Sequence, residues 1–318
     1  MTALAARPAL ATDGPRLTTT VAREHVHRAA LSEVFLTGWQ RTGADTFTVT
    51  AQWPRGHAFF TPEHGLHDPL LLAETVRQSV PLLLHCEYGL PHSYECGWVF
   101  FGFHVRPEAL QVTTRPAELE LRTVCDDIRF RAGLPTSMRV RTEVWRGESL
   151  AGWSETRFWC RVGEVYRRLR GRYADKEAVF AAAPAPTPPA PGPLVGRDRT
   201  QDIVLSPAGD PAHTWRLRVD TSHPTLFDHP LDHVPGMLSI EAVRQAALAA
   251  RHGERPGFLT GVEITFDRYI EFDAPCWVDV PATAAQHGGA RGDVEVRAEQ
   301  GGRSAFQATA FFRDAATV

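Results

Sequence analysis

The sequence predicts an α+β protein made of two similar units, each with one long apolar helix and an antiparallel sheet. Three observations support this prediction. The chain has 318 residues, about twice the size of a common single domain. A proline-rich segment divides the chain, and the parts on either side of it share a repeated pattern, which indicates a duplicated unit.

Prolines set the predicted domain boundaries. Between residues 184 and 193 six prolines are interspersed with small residues. This composition favours extended polyproline II geometry and is excluded from helix and sheet interiors. We therefore expect a flexible arm over 1–20, an N-terminal domain over 21–180, a linker over 181–196 and a C-terminal domain over 197–318.

The repeat locates the central helix of each unit. Proline is tolerated at the first helical position, so the helices are expected to begin near Pro69 and Pro235, and Pro81 is expected to end or kink the first one. Three polar residues recur 167 positions apart in the two helices: Glu74, Arg77 and Gln78 in the first, Glu241, Arg244 and Gln245 in the second.

Alternating apolar and polar residues predict the strands. They cover 33–35, 47–52, 98–105, 118–124, 138–145 and 153–162 in the first half, and 214–219, 259–272, 277–281, 293–299 and 305–313 in the second. A long helix wrapped by an antiparallel sheet is the hotdog pattern. Two hotdog domains in one chain predict an intrachain pseudo-dimer.

Each predicted helix carries one polar strip on an otherwise apolar surface. Residues at positions i, i+3 and i+4 share a helix face, so each Glu-Arg-Gln triplet forms such a strip. An unpaired buried charge costs several kcal/mol. Each strip therefore either pairs internally, as an ion pair that fixes how the units dock, or lines a cavity with a functional role.

The segment before the second helix favours the functional interpretation. It is similar to the active-site segment of the hotdog β-hydroxyacyl-carrier-protein dehydratases, with which it shares Pro235-Gly236, Glu241-Ala242 and Gln245. However, the catalytic histidine of those enzymes aligns with Phe227, and Arg244 replaces a small apolar residue. These departures argue against dehydration.

Several motifs together resemble the A-factor biosynthesis family of tandem hotdog proteins. They include Val26-His27-Arg28, His67-Asp68-Pro69, Phe227-Asp228-His229-Pro230 and Asp232-His233-Val234-Pro235-Gly236-Met237. The resemblance implies a role in making γ-butyrolactone or butenolide autoregulators. The implied reaction moves a β-ketoacyl chain from acyl carrier protein to the hydroxyl of dihydroxyacetone phosphate.

Such a transfer needs a base for the hydroxyl, donors for the oxyanion and a cation for the phosphate. The second half is favoured as the active one because it keeps Pro-Gly at the helix start, although a site may combine both halves. The expected groups are Glu241 and Glu74 as the base, Gln245 and Gln78 to orient it, Arg244 and Arg77 as the phosphate clamp, the helix N-termini at Gly236 and Pro69 for the oxyanion, and His229 as a proton shuttle.

Charge and composition exclude other classes of partner. The formal net charge of -3 offers no basic surplus for nucleic acid, and no apolar run approaches the roughly 18 residues of a membrane helix. Five widely spaced cysteines predict reduced thiols in a cytoplasmic protein. The expected partners are an acyl carrier protein and dihydroxyacetone phosphate, with the chain as a monomeric pseudo-dimer or a homodimer.

No metal or other cofactor is expected. The pairs His229 and His233, and His64 and His67, are spaced like metal ligands, but they lie in loops without a cysteine, so loop-fixing hydrogen bonds are expected instead. The basic run over 166–172 is expected to be a solvated strand end rather than a docking patch for an acidic carrier protein.

Two alternative functions remain open at this point. A thioesterase or dehydratase would use the same glutamate with water or a β-hydroxyl, and would turn over without the phosphate. A non-catalytic acyl-binding or regulatory module would use the polar strips only as structural ion pairs.

Overall fold

The computed structural model describes residues 18–209, 213–251, 257–281 and 292–314. The first half contains helix α1 (Pro69–Cys86) and six strands, which are β1 (Leu36–Arg41), β2 (Thr46–Trp53), β3 (Tyr94–Val105), β4 (Ala117–Arg131), β5 (Leu134–Arg146) and β6 (Ser149–Val162). The connection between the halves carries the short helices α2 (Gly163–Arg170), α3 (Lys176–Ala181) and α4 (Gly192–Val195). The second half contains helix α5 (Gly236–Ala250) and strands β7 (Leu205–Pro207), β8 (Thr214–Leu217), β9 (Gly257–Phe266), β10 (Cys276–Asp279), β11 (Val294–Gln300) and β12 (Arg303–Asp314).

The strands form one antiparallel sheet of 12 strands in the order β1-β2-β4-β5-β6-β3-β9-β12-β11-β10-β8-β7. Counted outward from the centre, the order β3-β6-β5-β4-β2-β1 on one side corresponds to β9-β12-β11-β10-β8-β7 on the other. In each half the central strand is the one that follows the long helix. The halves join where β3 pairs with β9, from Phe100 opposite Thr265 to His104 opposite Gly261. The architecture is the predicted pair of hotdog units.

Both central helices are buried on nearly all sides, which agrees with their apolar sequences. Helix α1 starts after Asp68, whose carboxylate accepts a hydrogen bond from the Leu70 amide. The helix then continues through Pro81 to Cys86, so of the two expected effects of Pro81, an end or a kink, the end is excluded. The Trp53 indole donates to the Thr75 hydroxyl at 2.7 Å and ties α1 to β2.

The first strand and the basic run differ from their predictions. Strand β1 begins at Leu36, because residues 31–33 form a short helical turn instead. The run over 166–172 is the end of α2 and a following turn, not a strand end. Its Arg170 is buried against Asp232 and Glu271 of the second half.

The proline-rich segment is bound along the second half rather than extended through solvent. Ala190 is buried and its amide donates to the Leu205 carbonyl, while the Thr187 carbonyl accepts from Arg218. Most of the predicted arm, residues 1–17, lies outside the described residues. Among the residues that are described, no helix is long and apolar enough to cross a membrane.

Candidate active site

A cavity of about 1080 Å³ lies between the two halves, which is large enough for a ligand of substrate size. The first half contributes Arg28, Glu74 and Arg77 to its lining, and the second contributes the loop before α5 and the first turn of that helix. The polar strip of one unit therefore faces the helix N-terminus of the other. This arrangement is the combined site that the sequence left open.

Glu74 is the centre of the first polar strip and is completely buried. Its carboxylate accepts two hydrogen bonds of 2.8 Å from Arg77, pairs with Arg28 at 2.5 Å, and accepts a bond of 2.8 Å from Gln78. Gln78 is itself fixed, because it donates to the Glu33 carbonyl and accepts from the Phe35 amide. The predicted role of Gln78 in orienting the glutamate is consistent with these contacts.

The ionisation of Glu74 argues against its predicted role as a base. Burial on its own would raise the pKa of this carboxyl, but the Arg28 and Arg77 guanidinium groups outweigh burial and hold the pKa at about 2. A carboxylate with such a low proton affinity removes a hydroxyl proton poorly. Glu74 instead positions two cations at the cavity wall.

The second polar strip repeats the first. Glu241 is buried and accepts hydrogen bonds from Arg197, Arg244 and Gln245 at 2.6 to 3.0 Å. Its pKa is also lowered to about 2, because the attraction of Arg197 and Arg244 outweighs the effect of burial. Asp68 adds another carboxylate 3.7 Å from Arg197. The argument against a base therefore applies to Glu241 as well.

The two strips differ in their access to space. The first faces the cavity of about 1080 Å³, whereas the small pocket beside Arg244 and Pro69 measures about 60 Å³. The Arg77 side chain is 18% exposed, compared with 6% for Arg244. Within the described residues, the space beside the first strip is large enough for a substrate and the pocket beside the second is not, so the geometry favours the half that the sequence ranked lower.

Sequence reasoning gave no role to two arginines of these strips, Arg28 and Arg197. Each follows a short helical turn and crosses to the other half, where its Nη1 donates to a backbone carbonyl, Arg28 to Thr225 and Arg197 to Phe59. A second repeat carries the signal: Val-x-Arg occurs at 26–28 and again 169 positions later at 195–197. The strips are therefore Arg-Glu-Arg clusters rather than single Glu-Arg pairs.

The helix N-termini at Gly236 and Pro69 are not equivalent. In α5 the first backbone bonds run from the Leu238 and Ser239 amides to the Pro235 carbonyl, so the Gly236 and Met237 N–H groups precede the first bonded turn, and both residues line the cavity. In α1, Pro69 has no N–H, and the Leu70 amide donates to Asp68. The expectation that Pro69 marks an oxyanion site is therefore wrong, and only the α5 terminus offers donors.

Close packing explains why position 236 is glycine. A Cβ atom at Gly236 would lie 2.4 Å from the Trp98 ring, which also lines the cavity.

We expect Gly236→Ala to push the ring or the helix start aside and to lower kcat/KM about tenfold to a hundredfold, because small displacements of positioning groups are costly. Steady-state kinetics measure this. The control is Gly56→Ala, at an exposed site where a Cβ meets nothing within 4 Å; equal losses in both variants would refute the steric account.

Two histidine-aspartate pairs lie on the cavity wall contributed by the second half. His229 Nδ1 lies 3.5 Å from Asp228, and His233 Nδ1 lies 2.7 Å from Asp232. Asp228 also accepts hydrogen bonds from the Ala29 and Ala30 amides of the first half. These histidines have carboxylate partners, and within the described residues neither His229 and His233 nor His64 and His67 belong to a metal-ligand cluster.

The buried carboxylates predict a loss of stability in acid. The pKa values of Glu74 and Glu241 fall from the usual 4.5 to about 2 on folding, so their stabilisation is complete above about pH 4.5 and is lost as the pH falls towards 2. We expect the urea midpoint to drop steeply between about pH 5 and about pH 3. Glu241→Gln should show a shallower drop, and a pH-independent midpoint in the unmodified chain would contradict the assignment.

Comparison with known proteins agrees with this architecture. A family model described as the A-factor biosynthesis hotdog domain matches residues 10–161 and 181–313. Proteins named 2-oxo-3-(phosphooxy)propyl 3-oxoalkanoate synthase are similar over most of their length. The one from Streptomyces virginiae is 46% identical over 86% of this chain and 91% of its own, and the one from Streptomyces coelicolor is 44% identical over 80% and 79%.

The fold alone is shared with a more distant protein. A crystal structure described as an oleoyl thioesterase from Lactobacillus plantarum superposes with a TM-score of 0.53 at 11% sequence identity. The match covers 86% of this chain and 98% of that one.

Proposed function

The chain belongs to the A-factor biosynthesis hotdog family, and from that premise we propose that it transfers a β-ketoacyl group from a carrier thioester to the hydroxyl of dihydroxyacetone phosphate. The product would be the 2-oxo-3-(phosphooxy)propyl 3-oxoalkanoate after which the relatives are named. One observation carries the assignment of the site: a single cavity brings the first Arg-Glu-Arg cluster opposite the free N-terminus of α5.

The first cluster has the properties of a phosphate site. Arg28 and Arg77 share the Glu74 carboxylate, so these three side chains carry one net positive charge, with Asp228 as a further carboxylate near Arg28. Arg77 uses Nε and Nη2 to bond Glu74 and the Val26 carbonyl, so Nη1 would be the nitrogen that bonds the phosphate. Guanidinium groups bind phosphate with good geometry and remain charged. We assign Arg77, supported by Arg28, as the phosphate clamp, with Glu74 and Gln78 as positioning residues.

The N-terminus of α5 provides the donors for the thioester oxygen. Gly236 and Met237 line the same cavity, and the helix dipole favours negative charge at that end. They would stabilise the oxyanion that forms when the hydroxyl adds to the thioester carbonyl. The apolar part of the cavity lining, which includes Val80, Leu84 and Phe158, would hold the acyl chain.

His229 is the proposed base. It lies on the cavity wall, and Asp228 behind it is ionised: burial opposes this, but hydrogen bonds from His229 and two backbone amides lower the pKa of Asp228 to about 2. His229 would take the proton as the hydroxyl oxygen bonds to the carbonyl carbon. The tetrahedral intermediate then breaks its carbon-sulfur bond and releases the carrier thiolate, which receives the proton from His229.

The donor is proposed to be an acyl carrier protein. Arg161, Arg268 and Arg303 contribute to the cavity lining together with Glu95, Asp267 and Glu271, and these arginines would be the contacts for an acidic carrier. The pseudo-dimer already contains both halves of the site, so a monomer is sufficient for catalysis.

Replacement of His229 tests the base. We expect His229→Gln to lower kcat about a hundredfold with little change in KM for dihydroxyacetone phosphate, because a general base acts on the chemical step. His233→Gln is the matched control, since it removes the other histidine of the same loop. A larger loss of kcat in the control would transfer the role to His233.

The reaction itself is tested by mass spectrometry of the products. Purified protein is supplied with a β-ketoacyl carrier thioester, with and without dihydroxyacetone phosphate. The proposal predicts a phosphorylated ester, or its cyclised butenolide, only when the phosphate is present. Free acid or an enoyl product without the phosphate would support a thioesterase or dehydratase, and tight acyl binding without turnover would support a binding module.

A further inference from the structure

Four histidines from three segments gather beside the cavity, outside the machinery described above. His27 follows the turn that precedes Arg28, His85 lies in the last turn of α1, and His92 is in the loop after it. One ring nitrogen of each of these three lies within 4.8 Å of the others. The His25 ring stacks on His92, with centroids 5.4 Å apart.

The hydrogen bonds of His85 determine which of its ring nitrogens carries the proton. Its Nδ1 lies 2.6 Å from the Leu90 carbonyl, which can only accept, so Nδ1 carries the proton and Nε2 has the lone pair. That Nε2 accepts a hydrogen bond from His27 Nε2, 2.8 Å away, and a bound metal ion would take the place of the shared proton. A metal-ligating histidine typically has this arrangement, with its second nitrogen donating to a backbone carbonyl.

The nitrogen separations suit a tetrahedral ion. Ligand nitrogens about 2.0 to 2.1 Å from a tetrahedral zinc ion are about 3.3 Å from one another. The observed His27–His85 separation of 2.8 Å and the upper limit of 4.8 Å for the set lie on either side of that value.

Comparison of the two halves singles out His27. It has a positive φ of 53°, a conformation that costs energy for residues other than glycine. The equivalent position of the second half, 169 residues later, is Gly196 with a φ of 66°. The first half therefore accepts backbone strain in order to place an imidazole here, which indicates a role for the side chain.

We propose that His27, His85 and His92 bind one divalent transition metal ion of the zinc type. Imidazole nitrogen is a favoured ligand of Zn²⁺, Co²⁺ and Ni²⁺. Three protein ligands leave the fourth position for an exchangeable ligand, as in open zinc sites. His27 and His92 also line the cavity, so that ligand enters from the substrate side. The inference is independent of the proposed acyl transfer.

The test is metal binding by the full-length chain, purified without a histidine tag and treated with a chelator. Competition with a chromophoric zinc indicator is expected to show one Zn²⁺ per chain. His92→Gln changes an exposed loop residue and is expected to weaken binding at least about tenfold. His85→Gln should do the same, and Co²⁺ should give the strong visible absorption of a tetrahedral site in the unmodified chain only.

His104→Gln is the matched control, because His104 bonds Glu263 where the halves join and is not part of the cluster. It should bind Zn²⁺ as the unmodified chain does. Thermal unfolding verifies that each variant is folded. Absence of stoichiometric binding, or equal binding by the unmodified chain and a folded His92→Gln variant, would overturn the proposal. Neither result depends on whether the protein transfers acyl groups.

Discussion

Replacement of Glu241 by alanine is expected to lower the free energy of unfolding by about 3 to 5 kcal/mol, the cost of removing one partner from a buried ionic group. Glu241 is completely buried and is shared by Arg197 and Arg244, which are themselves buried. Without the carboxylate, two largely buried guanidinium groups would lose the anion that they share. Urea unfolding at neutral pH measures the difference.

A triple variant separates the unpaired charges from the loss of packing. Arg197→Met, Glu241→Leu and Arg244→Met together remove the whole cluster and fill its volume with apolar side chains. Such replacements of buried ionic groups are often neutral or stabilising, so the triple variant should recover most of the stability that Glu241→Ala loses. If Glu241→Ala unfolds at the same urea concentration as the unmodified chain, the second cluster is not a structural element.

Replacement of Arg77 is expected to have the largest effect on catalysis. We expect Arg77→Gln to lower kcat/KM for dihydroxyacetone phosphate about a thousandfold, since a lost electrostatic contact to the reacting complex costs about a hundredfold to a thousandfold. The fold should persist, because Glu74 keeps its contacts with Arg28 and Gln78 and Arg77 is partly exposed. Initial rates at varied concentrations of dihydroxyacetone phosphate measure the effect.

Arg77→Lys serves as the graded control. It keeps the positive charge but loses the planar pair of donors that spans the Glu74 carboxylate. We therefore expect a kcat/KM between the values of the unmodified chain and Arg77→Gln, with most of the change in KM. Unchanged kinetics in Arg77→Gln would place the phosphate elsewhere in the cavity.

Much of the architecture could be predicted from the sequence, because it depends on local patterns. Periodicity and the Glu-x-x-Arg-Gln repeat located both helices and the duplication, and Pro-Gly marked the start of α5. Pro81 misled the prediction of where α1 ends, since tertiary burial holds the helix together despite the missing N–H. The basic run over 166–172 was assigned to a strand end, because nothing local shows that Arg170 binds Asp232 across the halves.

Residues of the candidate site could be located from the sequence, but how they pair could not. The sequence identified Glu74, Arg77 and Gly236, but which strip faces open space depends on how the two units pack. The role of a base was assigned to glutamate because Arg28 and Arg197, which lower the pKa of each carboxyl, are distant in sequence from the helices. The histidine cluster could not be predicted from the sequence, since its members are brought together only by the fold of the first half.

The central claim is that the first cluster is the catalytic one and the second is structural. The most direct test compares Arg77→Gln with Arg244→Gln, the same change at equivalent positions, by turnover that depends on dihydroxyacetone phosphate, expressed per folded molecule. We predict that Arg77→Gln is folded and nearly inactive, while Arg244→Gln is less stable and retains most of its activity. A folded, inactive Arg244→Gln beside an active Arg77→Gln would contradict the claim and move the active site to the second half.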